Sequence, residues 1–574
     1  MAHFHTKIKK GRPYLYVREI ARVDGKPKVI SQVYIGSPER VASLVSGKAT
    51  TEERLKVESF GALWLAEQMD NDFDLVSIVD NIIPRVNREK GPSIGEYFLY
   101  AVFNRMVEAV SKNRLIRWYR QTAIQQIRPV DVEELTSKKY WDKWDRVREA
   151  DLQKVSRCFF EKLWQLVSPQ EECLLFDTTN YYTFMDSTTP SELAQRGKNK
   201  EGRNNLRQIG LGLLVERGSR LPLFYTVYPG NLHDSHHFEQ IMDEMFAVAT
   251  GIKDVDRPLT VVVDKGMNSE DNFTWIDEQD QLHFITTYSP FFAEELAQTP
   301  LCSFGYVDTK ANRRRMADDK DDDCMLAYRT QREFWGKNRT VVVTFNPITA
   351  RKKGYVLDNR LARLKNELLV MRDKVKQNLP KWQDPAVIEK RTERLCKQLR
   401  LPKDAYQLTF TRAATGLRLS IRKNATAVSN ERNRFGRNII VTDNHDWSTA
   451  DIIETSLDRW QVEERFRQSK DDDLVGVQPF RHWTDSKIRC HLFTCVVAMT
   501  YLRLLELKLE NAGINRTADD VMDDMCHLHS VLSFSNGRRQ PHRRLETPTE
   551  SQAEILAAMG YRVDPSGVLQ KVTL

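Results

Sequence analysis

A chain of 574 residues exceeds what a single hydrophobic core holds and divides into several domains, and a hydrophobic share of 41% with 29% charged side chains sets aside a disordered or fibrous class. The net charge is +8, and the first forty residues carry nine Lys or Arg against three acids, a local basicity that suits a polyanion such as nucleic acid or simply a solvated small domain. The eight cysteines form no C-x-x-C pair, which points to neither a zinc ribbon nor a disulfide framework and suits a reducing cytoplasm.

Residues 14 to 35 form two β-type runs around Asp24-Gly25, a hairpin signal, so residues 1–50 read as a small basic β module. From 51 to 170 the periodicity is helical, and this all-helical block is expected to bind DNA. Within it Lys112, Arg114, Arg117 and Arg120 interleave with Trp118 and Tyr119, a mixture that grips a phosphate backbone or lines a solvated helix face. Residues 171–290 turn to strands: CLLFD, then QIGLGLLVE and LPLFYTVY, a helix from about Ser235, LTVVVD, a short helix and HFITTY. This order predicts an α/β fold with a mixed sheet. Residues 291–433 interrupt it with strand-like runs around a long charged helical pair. An unstructured stretch of roughly 200 residues between Asp264 and Glu463 is implausible, so the interruption is an inserted domain. The α/β pattern resumes over 434–510, and 511–574 reads as a C-terminal helical region with a Thr549-x-x-Gln552 capping box.

The N-terminus lacks the apolar core of a signal peptide. The run Cys490 to Leu507 is broken by His491, Thr494, Thr500, Arg503 and Glu506, so it reads as a buried helix and no membrane partner is expected. Cys526, His527 and His529 resemble metal ligands but lack a second ligand pair.

Two carboxylates close apolar strands, Asp177 after LLF and Asp264 after VVV. A strand-end acid is commonly a metal ligand or a helix cap. The stretch Ser448 to Lys470 reads as one helix capped by Ser448, with Asp451 favouring the positive end of its dipole. At about 100° per residue Glu463 lies about 40° from Arg459, and Lys470 returns to within about 20° of Arg459. One carboxylate and two cations on one stripe suit a metal ion bound between protein oxygens and a phosphate, the cations holding other phosphate oxygens; a solvated charged face is the alternative. Asp177, Asp264 and Glu463 together make three hard oxygen ligands, suited to Mg²⁺ or Mn²⁺ rather than zinc.

The order Asp177, Asp264, Glu463 on strand, strand and helix resembles the catalytic triad of DDE transposases, which have an RNase H-like core. The IS-four group of bacterial insertion-sequence transposases carries Tyr, two residues, Arg, three residues, Glu, six residues, Lys; this chain has Ser456, Arg459, Glu463 and Lys470 at those spacings. Ser456 departs from the family tyrosine, which puts that phenol's role in doubt here. FDTTNYYTF, GKNKEGRNNLRQIGLGLLV, PGNLHDS, VVDKGMNSEDN and RWQVEERFRQSKDDDLVGVQPFRHWTDSKIRCHL are similar to the IS-sixteen-thirty-four type of that group.

The resemblance implies an RNase H-like core, a mixed five-stranded sheet with flanking helices, interrupted by a β-rich insertion. It implies two Mg²⁺ ions, with Mn²⁺ as substitute, shared by Asp177 and flanked by Asp264 and Glu463, and phosphate contacts from Arg459 and Lys470. It further implies binding of terminal inverted repeats and target double-stranded DNA, hydrolysis at the element ends, joining of the 3′-OH to the target, and a homodimer in a synaptic complex at a prokaryotic nucleoid. His233, Asp234, His236 and His237 either line the site or start a helix, and Trp335 either stacks on a flipped base or packs in a core. Two other readings remain: a transposase-derived DNA-binding protein without catalysis, and an RNase H-like nuclease without strand transfer.

Overall fold

The computed structural model describes residues 2–9, 12–23, 26–37, 41, 52–86, 89–167, 173–197, 202, 204–232, 242–243, 258–279, 281–413, 416–471, 474–478, 480, 482–535 and 541–572. It opens with an antiparallel sheet of β1 (Ala2–Lys9), β2 (Arg12–Val23) and β3 (Lys26–Gly36). The β2–β3 hairpin pairs Val23 with Lys26, the spacing a two-residue turn requires, although Asp24 and Gly25 themselves lie outside the described residues. The expected pair of strands gains a third, because AHFHTKIK alternates apolar and polar side chains and pairs along its whole length with β2. Tyr14 stacks on His527 with ring centroids 4.7 Å apart, which holds this sheet against the far end of the chain.

The expected helical block begins instead with a strand, β4 (Glu52–Ser59). Its partner comes from the other end of the chain, which local periodicity does not reveal. Helices Gly61–Asp70, Leu75–Ile82, Ile94–Val107 and Glu149–Val167 follow. Ile94–Val107 starts in a capping box: the Ser93 hydroxyl accepts from the Glu96 N–H and the Glu96 carboxylate accepts from the Ser93 N–H.

A mixed sheet of ten strands forms the centre of the molecule. Its members are β5 (Cys173–Thr183), β6 (Gln195–Arg196), β7 (Arg207–Glu216), β8 (Pro222–Pro229), β9 (Leu259–Val263), β10 (Leu282–Tyr288), β11 (Gly305–Tyr306), β12 (Leu326–Phe334), β13 (Lys337–Phe345) and, beyond the hairpin of β14 (Tyr406–Ala413) and β15 (Gly416–Lys423), β16 (Arg437–Thr442). The order across the sheet is β11-β12-β13-β16-β10-β9-β5-β7-β6, with β8 also paired to β7. Strand β9 runs parallel to both β5 and β10, and every one of its side chains is buried, as its unbroken LTVVV demands. The structure thus divides residues 291–433: β11–β13 widen the central sheet, because the TVVV of β13 is buried there, whereas the helices Pro347–Lys376, Pro385–Leu399 and Ala425–Asn433 close with the β14–β15 hairpin around a core of their own.

The helix Asp485–Asn511 is buried on nearly every side and packs on Ile94–Val107, Glu149–Val167 and β8. Among the described residues no helix is long and apolar enough to cross a membrane. The region 511–574, expected to be helical, contains β17 (His529–Ser535), which pairs with β4 on one side and β18 (His542–Leu545) on the other, and a further hairpin of β19 (Tyr561–Val563) and β20 (Leu569–Lys571). Helix Glu550–Ala558 does start in the expected Thr549/Gln552 capping box.

Asp70 joins the helical block to that central helix. Its Oδ1 accepts from the Tyr501 hydroxyl at 2.8 Å and the Leu75 N–H at 3.1 Å, and burial raises its pKa from 3.8 to about 6. The folded protein therefore holds this proton where the unfolded chain has lost it, so Asp70's contribution is full below pH 3.8 and is lost as pH rises through about 6. Asp70→Asn is expected to remove this slope and to stabilise the protein at pH 7 by a few kcal/mol at most. Denaturant melts of both proteins across the range check it; parallel pH profiles would contradict the assignment.

Candidate metal centre

Asp177 does not end its strand, as the sequence reading expected; β5 continues to Thr183 on its antiparallel partner β7. What ends is its pairing with β9, whose last matched pair is Leu175 with Val262. Continuing that register by two residues on each strand sets Asp177 beside Asp264, which follows the last residue of β9. The Thr178 N–H donates to Asp177 Oδ1 at 2.8 Å. Asp264 does emerge from a strand end, and its side chain makes no cap hydrogen bond to the short 3₁₀ turn Lys265–Met267 that follows. Asn268 fastens that turn to β10, donating to the Thr287 carbonyl at 2.9 Å and accepting from the Thr286 hydroxyl at 2.7 Å.

The predicted single helix from Ser448 to Lys470 is two helices, Thr449–Leu457 and Trp460–Ser469, separated at Asp458-Arg459. Ser448 caps the first as expected, accepting from the Asp451 N–H at 3.1 Å. At the joint the hydrogen bonds tighten to i→i+3, from Gln461 to Asp458 and from Val462 to Arg459. Arg217 on the loop after β7 donates to Asp458 Oδ2 at 2.7 Å, a tertiary anchor at the break that a local reading misses. Ser456 is buried, so the chain presents no phenol at that signature position.

Glu463 lies in the first turn of the second helix, and Arg459 reaches all three acids. Its guanidinium nitrogens stand 2.8 Å from Asp264 Oδ1, 3.3 Å from Glu463 Oε1 and 4.0 Å from Asp177 Oδ2. The three carboxylates, remote in sequence, converge on one cation. Three like charges this close repel one another, and the guanidinium offsets that repulsion. Exposure rises outward, with 13% for the Asp177 side chain, 33% for Asp264 and 58% for Glu463. The site is anchored on the sheet and open on the helix side. Hard oxygen donors already gathered about a positive charge, with access for water to complete an octahedron, fit Mg²⁺ or Mn²⁺.

Lys470 ends the same helix but stands apart from the acids, roughly 10 Å further along the axis from Glu463. Its Nζ is 5.7 Å from the centre of the Tyr181 ring on β5. Arg114, Arg117 and Arg120 are exposed on the helical block, Arg120 paired with Glu133 at 2.6 Å. Lys112 departs from the phosphate-gripping expectation. It is buried with its Nζ over the rings of Tyr140 and Trp144, and burial drives its pKa far below the ordinary lysine value. Trp118 and Tyr119 are core residues too.

Trp335 packs rather than projects, stacked on Phe273 with centroids 3.8 Å apart at the β12–β13 turn. His233, Asp234, His236 and His237 lie outside the described residues. Asp523, Cys526 and His527 bring ligand atoms within 4.8 Å of one another, so Asp523 takes the place that the sequence reading assigned to His529 beside Cys526 and His527. The Cys526 thiol there donates to the Asp523 carbonyl and the His527 ring is engaged by Tyr14.

Two strand-borne aspartates and a helix-borne glutamate gathered at one end of an α/β sheet define a class of acid-triad sites whose donor set suits divalent cations. Residues 181–502 match the family described as "Transposase DDE domain". That match takes in more than half of the chain, so the protein belongs to this family, whose members cleave and join DNA and are generally dependent on divalent metal ions. Asp264 and Glu463 fall within the matched residues, and Asp177 lies just ahead of them. Among solved structures, the cryo-EM structure of a piggyBac transposase synaptic complex with hairpin DNA aligns over 83% of this chain and 82% of that one, with 8% identity and a TM-score of 0.38. That superposition is too loose to match individual residues. No curated protein matches the chain.

Arg459→Ala strips the three acids of their cation. The metal-free variant is expected to lose about 1–2 kcal/mol of stability and to regain more on adding Mg²⁺ than the unaltered protein gains. Thermal melts in chelator and in Mg²⁺ measure both; equal metal-induced shifts would show that Arg459 does not neutralise the acids.

Proposed function

We propose that the chain is an insertion-sequence transposase of the IS-four group, with an RNase H-like catalytic core, that cuts and joins DNA at Asp177, Asp264 and Glu463. The observation that carries this reading is the convergence of those three acids on one guanidinium. The strand arrangement supports the fold assignment: β8-β7-β5-β9-β10 have the order three-two-one-four-five, with only the second strand antiparallel to the rest.

In this reading Asp177, Asp264 and Glu463 would together hold two divalent ions, Asp177 serving both. Two divalent ions, when bound, supply a water of lowered pKa and stabilise a leaving 3′ oxygen. The chain's own residues do the rest. Seated on the sheet and on the helix beside it, the carboxylates would hold the ions in fixed positions, and the Arg459 guanidinium orients the reacting phosphate against them, which meets the orientation demand of in-line displacement. Arg459, released from the acids as the site fills, holds phosphate oxygens, and Lys470 meets the strand further from the cut. The exposed Arg114, Arg117 and Arg120 and the basic N-terminal sheet contact the terminal inverted repeats, while the 3′-OH freed by hydrolysis attacks target DNA. Two protomers synapse the two ends.

Glu463→Gln is expected to leave binding of terminal DNA within about threefold and to lower Mg²⁺-dependent cleavage by at least about a thousandfold, as for loss of a transition-state contact. Gel assays of cleavage and of target joining with a precut end check this; retained cleavage would refute the metal assignment, and cleavage without joining would favour the nuclease reading. Deleting residues 1–45 is expected to abolish nuclease protection of the terminal repeats while sparing joining of a precut end at high DNA concentration. Full protection by the truncated protein would refute that division of labour.

A further inference from the structure

The positive charge of this chain is concentrated in a part that neither the N-terminal module nor the acid site includes. Residues 347–433 contain 21 Lys and Arg against 8 Asp and Glu, an excess greater than the net charge of the whole protein. The remainder of the chain is therefore acidic on balance. These residues form the lobe with its own apolar core, in which Leu357, Leu361, Leu364 and Leu368 of Pro347–Lys376 face Ile388 of Pro385–Leu399 and Val428. Only three of its cations pair with a carboxylate among the described residues, namely Arg351 with Asp323, Lys403 with Glu393 and Arg432 with Asp358. Most of the others are exposed to water at the cost of mutual repulsion, which a polyanion relieves.

The placement of these cations is regular. Helix Pro385–Leu399 buries Ile388, Thr392 and Cys396, and Lys390, Arg394 and Lys397 stand exposed on the opposite face. The β14–β15 hairpin turns Leu417 and Leu419 inward and leaves Arg418 and Arg422 exposed on its outer face, beside Thr409, Thr411 and Ser420. That outer face is rich in hydrogen-bond donors and holds no acid. The lobe also leaves the sheet at a definite edge. Phe345 of β13 pairs with Arg437 of β16, and Ile439 of β16 pairs with Tyr288 of β10, so both connections rise where β9 and β10 finish, the edge that carries Asp264. From there Pro347–Lys376, 30 residues, extends for about 45 Å.

We infer that this lobe is a second DNA-binding surface, one that grips the phosphate backbone of duplex DNA running outward from the acid site without reading its sequence. This deepens the proposed function and rests on it for the identity of the polyanion. The geometry favours a duplex over a single strand. A single strand calls for exposed aromatic platforms, and among the lobe's described aromatic side chains only Tyr355 is exposed, while Trp382 is covered by Lys374 and Arg391. A straight surface of about 45 Å spans about 13 base pairs, enough for several phosphate contacts at once.

The test uses the full-length protein and a duplex of arbitrary sequence of about 30 base pairs, long enough to cover the lobe. Two variant sets are compared, Lys390→Glu/Arg394→Glu/Lys397→Glu and Arg418→Glu/Arg422→Glu, with binding followed by fluorescence anisotropy across a salt series. Each lost phosphate contact lowers the slope of log affinity against log salt by about 0.9, so the triple variant is expected to lose about 2–3 and the double variant about 1–2. Affinity at low salt is expected to fall at least about tenfold in each. Unchanged slopes in both sets overturn the inference, as does duplex affinity retained at low salt in both. Should a reversal unfold the lobe by thermal melt, the corresponding Gln variants are measured with the same expectations at smaller size. The two readings fail separately. A protein whose steep slope vanishes in the variants but which never cleaves keeps this surface and loses the proposed function, whereas one that cleaves with slopes untouched by either set loses the surface alone.

Discussion

Mutual repulsion among three carboxylates is the constraint around which the half of the chain built on the central sheet is arranged. Asp177 and Asp264 are lateral neighbours because β5 and β9 run parallel in one register, and Glu463 is brought to them by a helix that starts at Arg459. A sheet edge bearing two adjacent acids is unfavourable unless a cation sits with them. In this structure the cation is a side chain of the same helix that delivers the third acid, so assembling the triad and neutralising it are one event. The arrangement also gives each acid a different footing. Asp177 is held within a strand whose ladder with β7 runs on past it, Asp264 on a turn tied down by Asn268, and Glu463 on an exposed helical turn.

Much of this was legible in the sequence, and the reasons differ by residue. Asp264 announced itself because a polar residue directly after VVV marks where the strand ends, whereas Asp177 after LLF stood out as an acid in an apolar run although its strand continues to Thr183. Glu463 was found through the spacing of a familiar signature, and the Ser448 and Thr549 caps follow from local hydrogen bonding, which spacing captures well. What spacing does not carry is tertiary anchoring. The break at Asp458-Arg459 is tied to Arg217, and it is this break that aims the guanidinium at the acids rather than leaving it on a solvated stripe. Lys112 shows the converse. Its neighbours in sequence, Arg114 and Arg117, are exposed, and only the packed rings of Tyr140 and Trp144 reveal that this cation is interior.

Charge was legible too, but its location was misjudged by following the chain from its beginning. The basic first forty residues draw attention, yet the helical pair and hairpin of residues 347–433 carry the larger excess. That lobe was anticipated as part of a β-rich insertion, and the structure separates its two components by where their apolar residues go. The valines of β13 lie within the central sheet, and the leucines of Pro347–Lys376 within the lobe. Anchoring the lobe through two adjacent strands of the central sheet fixes its direction relative to Asp264, which a flexible tether would not do.

The pairing of β4 with β17 bears on biosynthesis. Ser59 and Cys526, which share a hydrogen bond at this junction, are 467 residues apart. At translation rates of about 5–20 residues per second, β4 waits on the order of half a minute for its partner to leave the ribosome. Throughout that interval its backbone groups are an uncovered edge, open to chaperones or to a neighbouring nascent chain. An incomplete translation product ending before His529 never covers it, so premature termination yields a sticky fragment rather than a shortened enzyme.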